Sequence, residues 1–233
     1  MGFLEFAGGI ASGIGSFISN SISKIGDAIG GVARKFVDIV ARLPEINVGK
    51  IWKIFDSVSK VIHAVTELLG INSEDETEVL GAKVEQTEKT VDDFTDAEEY
   101  INYLKKEVKL DQERFNKMTM EEKMGCKAVG LALETKAIEE KIGGISISAE
   151  CLATLAKINA AGGKEINAQQ LLDVVKGLKA AGITDLNDVV DYFEGSGTSD
   201  RIKTGNALKE VMGEKAEERI DEIKECVRKY EED

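Results

Sequence analysis

The sequence predicts an all-α protein: a glycine-rich amphipathic helical hairpin at the N-terminus followed by an acidic helical bundle. Three observations carry this. Pro44 is the single proline in 233 residues, so long helices are interrupted almost nowhere. Apolar residues recur at steps of three and four through most of the chain, the period of one helix face. Aromatics are only 6% of residues, which does not suit a sandwich or barrel.

The first element is the most distinctive. Residues 6–23, FAGGIASGIGSFISNSIS, contain no charged side chain. Ile10, Ile14, Ile18, Ile22, Ile25, Ile29, Val32, Phe36, Val40 and Leu43 form one stripe, joined by Phe6 and Phe17 at its edges. The other faces are built from Gly8, Ser12, Gly15, Ser16, Ser19, Ser23, Gly26 and Gly30. Gly15, Ser19 and Ser23 form a small-xxx-small ladder, as do Gly26 and Gly30, and such ladders let helix backbones approach closely within a bilayer. Each interior glycine costs about 1 kcal/mol relative to alanine, so a helix of this composition needs an apolar surface to hold it.

After Pro44 a second amphipathic helix is predicted over residues 47–69. Ile51, Ile54, Phe55, Val58, Ile62, Val65 and Leu69 make its stripe, with Trp52 at the border and Lys50, Lys53 and Lys60 off it. Tryptophan beside lysine suits a membrane-surface helix, and an ordinary soluble hairpin gives the same pattern. His63, the only histidine, is placed toward the polar side as a solvated residue with no acid–base partner.

Residues 72–95 are acidic and poor in large apolar side chains, and are read as a linker leading into a solvated helix. The segments then divide as 1–71, 72–95 and 96–233. Helix is expected over 96–141, with Tyr100, Leu104, Val108, Phe115, Met118, Met124, Val129, Leu133 and Ile138 toward the core. Gly125 and Gly130 are possible interruptions, and Gly143 with Gly144 end it. The final helix carries a thin strip of Ile220, Ile223 and Val227.

Charge is distributed unevenly. Residues 1–71 hold seven Lys/Arg against six Asp/Glu, a net +1, so of the chain's net −13 residues 72–233 carry −14. An acidic body repels phosphate backbones, so no nucleic-acid partner is expected. Cys126, Cys151 and Cys226 are widely spaced and read as free thiols. The start, with Glu5 in place of a basic region, is not a secretory signal, and Phe6 and Ala7 do not supply the Ser/Thr that myristoylation of Gly2 wants.

Two resemblances follow from these residues. In composition and periodicity, residues 8–43, typified by GIGSFISNSISKIGDAIG, resemble glycine-rich amphipathic peptides of the pore-forming and antimicrobial type. That resemblance implies a lipid-membrane partner and assembly into homo-oligomers, or storage with a carrier or immunity protein. It also implies solubility in the producing cell and then export by a route other than the general secretory one, or carriage in a particle, to a target membrane. In the last third, windows 159–170 and 195–206 start 36 residues apart and carry Ile166 and Ile202 at the eighth position, an outline that weakly resembles an EF-hand pair. Two unrelated helical hairpins give the same outline. The ligand positions hold Asn159, Ala161, Gly163 and Gln170, then Gly195, Gly197, Ser199 and Asn206, with Lys164 and Asp200 where glycine belongs. Calcium binding is therefore not expected.

No phosphate-cradling loop, histidine cluster or nucleophile–base pattern occurs, so no catalytic residue, metal or cofactor is expected. The functional expectation is a membrane-perturbing protein: a toxin, an injected effector or a virion penetration protein. The membrane- or partner-facing residues would be Phe6, Ile10, Ile14, Phe17, Ile18, Ile22, Ile25, Ile29, Val32, Phe36, Trp52 and Phe55. Gly15, Ser19, Ser23, Gly26 and Gly30 would serve helix packing. The alternative is a structural or adaptor protein of a larger assembly, such as a phage particle or a secretion apparatus, whose N-terminal helices pack on a partner.

Overall fold

A computed structural model describes residues 3–43, 47–71, 75–160, 167–196 and 200–229. Among them the protein is all-α. Its helices are α1 (Phe3–Ala41), α2 (Val48–Leu68), α3 (Thr77–Glu85), α4 (Ala97–Glu107), α5 (Gln112–Lys117), α6 (Met120–Ile142), α7 (Ala149–Ala160), α8 (Ala168–Ala180), α9 (Asn187–Glu194), α10 (Arg201–Met212) and α11 (Ala216–Arg228).

The organising element is α6. Its residues from Met124 to Thr135 are buried without interruption, so it is covered on every side, by α1, α2, α3 and α4. A helix wrapped in this way has no polar stripe to reveal its orientation in sequence. Thr119 and Glu122 form a capping box at its start, and Gly143, at φ 70°, ends it. The glycines expected as interruptions lie inside continuous helix. Gly125 and Gly130 remove side chains where neighbours come closest: a Cβ on Gly125 would lie 2.7 Å from the Phe17 Cβ, and one on Gly130 would lie 2.0 Å from the Thr77 carbonyl oxygen. The single helix expected over 96–141 is instead three, because Asp96, Asp111 and Thr119 each cap a new start.

The acidic segment 72–95 departs most from expectation. Its α3 is no solvated helix: Thr77, Leu80, Gly81, Ala82, Lys83 and Val84 are buried, packed against α6. A Cβ on Gly81 would fall 1.8 Å from the Cys126 carbonyl oxygen. The close approaches Thr77–Gly130 and Gly81–Cys126 advance along one helix as they retreat along the other, so α3 and α6 run antiparallel with backbones nearly touching. Small residues, not large ones, make this contact, which is why hydrophobic content concealed it.

Three buried hydroxyls are satisfied within their own helices. Ser21 donates to the Phe17 carbonyl, Ser59 to that of Phe55 and Thr135 to that of Leu131. Farther along, α7 to α11 form a second cluster of packed helices. The loops before α7 and α9 meet at a parallel bridge between Ser146 and Asp185, flanked by buried Ile145, Ile147, Ile183 and Leu186. The strip of Ile220, Ile223 and Val227 on α11 is buried as expected. Ile14 through Val227 belong to one connected hydrophobic core.

Candidate functional site: the seat of the N-terminal hairpin

The stripe expected to run along one straight helix is folded back on itself. Gly26 lies inside α1 with φ 77° and ψ 159°, a conformation open to glycine and strained for other residues. Along an unbroken helix, residues eight and fifteen apart would be separated by roughly 12 and 22 Å. Here a Cβ on Gly30 would touch Ile22 at 2.4 Å, and the Arg34 guanidinium donates to the Ser19 hydroxyl at 3.0 Å. The hairpin therefore turns at Gly26, within α1, and not at Pro44. Its two arms pack on each other through the Ile22–Gly30 contact.

Both arms press the apolar stripe into the body. Ile14, Phe17, Ile18, Ile25, Ile29 and Phe36 are buried, Ile22 and Val32 are partly so, and Phe6 and Ile10 lie outside the residues whose side chains are described. Phe17 caps Gly125 of α6, and Phe36 meets Phe55 of α2 with ring centroids 4.9 Å apart. Polar ties close the edges: Lys35 pairs with Glu150 of α7, and Lys24 donates to the Glu88 carbonyl. The small residues have divided roles. Gly26 is the corner and Gly30 the notch, whereas Gly15 has open space beside it and Ser19 and Ser23 are exposed. Trp52 is half-buried, with the Lys127 ammonium 4.7 Å from its ring centre.

Magnitudes decide how firmly the hairpin is seated. Burying a large apolar side chain is worth about 1.5–3 kcal/mol, so the six buried members together contribute on the order of 9–18 kcal/mol. That matches the whole net stability of a typical domain, about 5–15 kcal/mol. Burial on this scale holds both arms of the hairpin against the body.

Beside the hairpin seat lies a polar seam that sequence reasoning missed. His63 Nδ1 is 2.8 Å from Glu134 Oε1, and the Thr77 hydroxyl donates to Glu134 Oε2 at 3.0 Å. Glu134 is fully buried. One helical repeat earlier, the Lys127 ammonium donates to Asp56 at 2.9 Å and lies 3.6 Å from Glu78. Both cross-helix pairs span 71 residues, so α2 and α6 run side by side in the same direction. His63 is thus a partly buried, partnered residue and not the solvated one expected; Glu134 pulls its pKa upward through their hydrogen bond, more than burial lowers it. The signal was Asp56 and His63 seven apart on one helix and Lys127 and Glu134 seven apart on another, legible only once the two helices are known to be neighbours. Chemically, Glu134 sits between the imidazole and the Thr77 hydroxyl and holds both. The seam orients and neutralises charge between helices.

Among the described residues no group of three His, Cys, Asp or Glu side chains could hold a metal ion, and no helix is long and apolar enough to cross a membrane. Residues 161–166 and 197–199 of the two EF-hand-like windows lie outside the described residues. Of the rest, Gln170 forms a capping box with Asn167, Asp200 caps α10, and Ile202 is exposed. No family model matches the chain, no curated protein matches it in sequence, and no solved structure matches it in fold.

Proposed function

We propose that this is a membrane-perturbing protein in a closed form, whose inserting element is the Gly26-hinged hairpin of α1. The observation that carries this reading is the pairing of an uncharged, glycine-rich arm with a seat that covers its isoleucine face. The outward face of the hairpin presents Ser16, Ser19, Asn20, Ser23, Asp27 and Arg34 to water. In this form the isoleucines face protein, and opening transfers them to lipid. Neither arm suffices as a lone span, since about 20 apolar residues are needed. Interfacial binding or assembly of several copies through the small residues then follows. An adaptor docking through its N-terminal helices would need an uncovered apolar face. The exposed large apolar residues described are only Leu68, Met120 and Ile202, scattered on α2, α6 and α10.

Dye release from anionic vesicles tests the reading, with the hairpin locked to its seat. Phe17 and Gly125 are spaced closely enough for a disulfide after a small shift. Phe17→Cys/Gly125→Cys, in a background with all three native cysteines changed to alanine, is expected to release no dye when oxidised and to recover when reduced. Release by the oxidised form, or none from the unlocked background, overturns the proposal; in the second case an adaptor role takes its place.

A further inference from the structure

Helices α7, α8, α9, α10 and α11 enclose a cavity of about 460 Å³. No residue of α1 lines it, although α7 borders both the cavity and the hairpin. Its walls are apolar, built from side chains such as Leu155, Val175, Leu178, Val190, Phe193 and Leu208, and its size falls within the range of small-molecule sites. The helices around it are short and joined by turns, so their side chains meet at the edges and leave the centre unfilled. Such a hollow forfeits the contacts that close packing normally provides.

The polar groups on the lining are unequal. Asn167 and Gln170 satisfy each other in a capping box, Thr154 donates to the Glu150 carbonyl, and Asp173 accepts from the Gln169 amide. Glu222 is exposed to water. Arg219 is different. It is the cation on the lining, it is half-buried, and among the described residues nothing hydrogen-bonds or ion-pairs with its guanidinium. A guanidinium offers a planar fork of donors suited to a carboxylate, and a partly buried one normally finds such a partner.

We infer that this cavity binds a single-chain anionic amphiphile of the fatty-acid type, its acyl chain among α7–α11 and its carboxylate on Arg219. The tail accounts for the apolar volume and the head for the unpartnered cation. A neutral or cationic head would leave the guanidinium unpaired or repelled.

Calorimetric titration of the full chain with dodecanoate, below the concentration at which it forms micelles, tests this against dodecyltrimethylammonium, which has the same tail and the opposite head charge. One dodecanoate is expected to bind per chain, with the cationic analogue weaker by about tenfold or more. Arg219→Gln, a change at a partly buried lining residue outside the hydrophobic core, is expected to weaken dodecanoate by about tenfold without altering the circular dichroism spectrum. Val174→Trp fills the hollow and is expected to abolish binding of both. Absence of saturable dodecanoate binding, equal binding of the two amphiphiles, or an Arg219→Gln variant that binds as wild type each overturns the inference.

Discussion

His63 on α2 shares a hydrogen bond with Glu134, a carboxylate fully buried on α6, with 2.8 Å between Nδ1 and Oε1. Glu134 in turn accepts from Thr77 on α3, so one buried acid ties three helices together.

The tie makes stability depend on pH in a definite direction. Because Glu134 raises the His63 pKa in the folded protein, the imidazolium is favoured by folding. Its stabilisation is complete below the unfolded value of about 6.5 and is lost as pH rises through the folded value. The thermal midpoint is therefore expected to fall as pH rises above about 6.5, and His63→Gln to flatten that slope. A slope unchanged in the variant would remove His63 from the account. The sign also bears on function: acidification tightens this pair, so an acid trigger for hairpin release would have to act elsewhere.

The neighbouring pair behaves differently at low pH. Burial pushes the Asp56 carboxyl upward, but hydrogen bonds from Lys60 and Lys127 outweigh it and hold the pKa below the usual value. This stabilisation is present above the unfolded carboxylate value of about 3.9 and disappears as pH falls through the lowered folded value. Lys127→Met removes one of the two ammonium groups and leaves Asp56 and Glu78 facing each other across the gap. Since Asp56 keeps Lys60 and is one-third exposed, the cost at neutral pH is expected to be about 1–3 kcal/mol, less than for an isolated buried pair. The variant's acid-unfolding midpoint, followed by circular dichroism, should move to higher pH; an unmoved midpoint would count against this assignment.

The glycines separate into those that packing requires and those it does not. Gly81→Ala and Gly130→Ala each drive a methyl into a backbone carbonyl of the facing helix, at 1.8 and 2.0 Å, where no side chain can rotate away. Each is expected to cost about 1–3 kcal/mol or more through overpacking. Gly15→Ala meets nothing within 4 Å and should gain about 0.5–1 kcal/mol from helix propensity. Denaturant midpoints of the three variants check this; similar values for all three would mean that the close approach of α3 and α6 is not maintained in solution.

Much of the architecture was legible because it rests on local rules. One proline and a sustained helical period imply helices, and Ile14, Ile18, Ile25 and Phe36 fall on the buried face that the period marks. What escaped was non-local or made of small residues. The period passes through Gly26 without a skipped step, so the sequence carries no mark of the corner there. Segment 72–95 reads as solvated because Gly81 and Ala82 add almost nothing to a hydrophobic count, although Gly81 lets α3 come against the α6 backbone at Cys126. His63 looked solitary because its partner is 71 residues away on a helix with no polar face. The cavity among α7–α11 depends on where five short helices stop, and periodicity does not report that.

The last prediction concerns the corner itself. At Gly26 the backbone has φ 77° and ψ 159°, so a side chain there costs about 1–3 kcal/mol wherever the surroundings enforce the angle. Space is not the obstacle, since the nearest atom to an added Cβ is Val91 Cγ1 at 3.8 Å. Gly26→Ala thus tests conformation alone, and Gly31→Ala, on the same helix with open space and no positive φ, is its control. The first is expected to lower the thermal midpoint and the second to leave it level or raise it slightly. If the hairpin is the inserting element, a strained corner also weakens its hold on the seat formed by α6 and α7, so Gly26→Ala should release vesicle contents at lower protein concentration than wild type. A variant that is destabilised but no more active on vesicles would keep the corner as a folding requirement and sever it from membrane action.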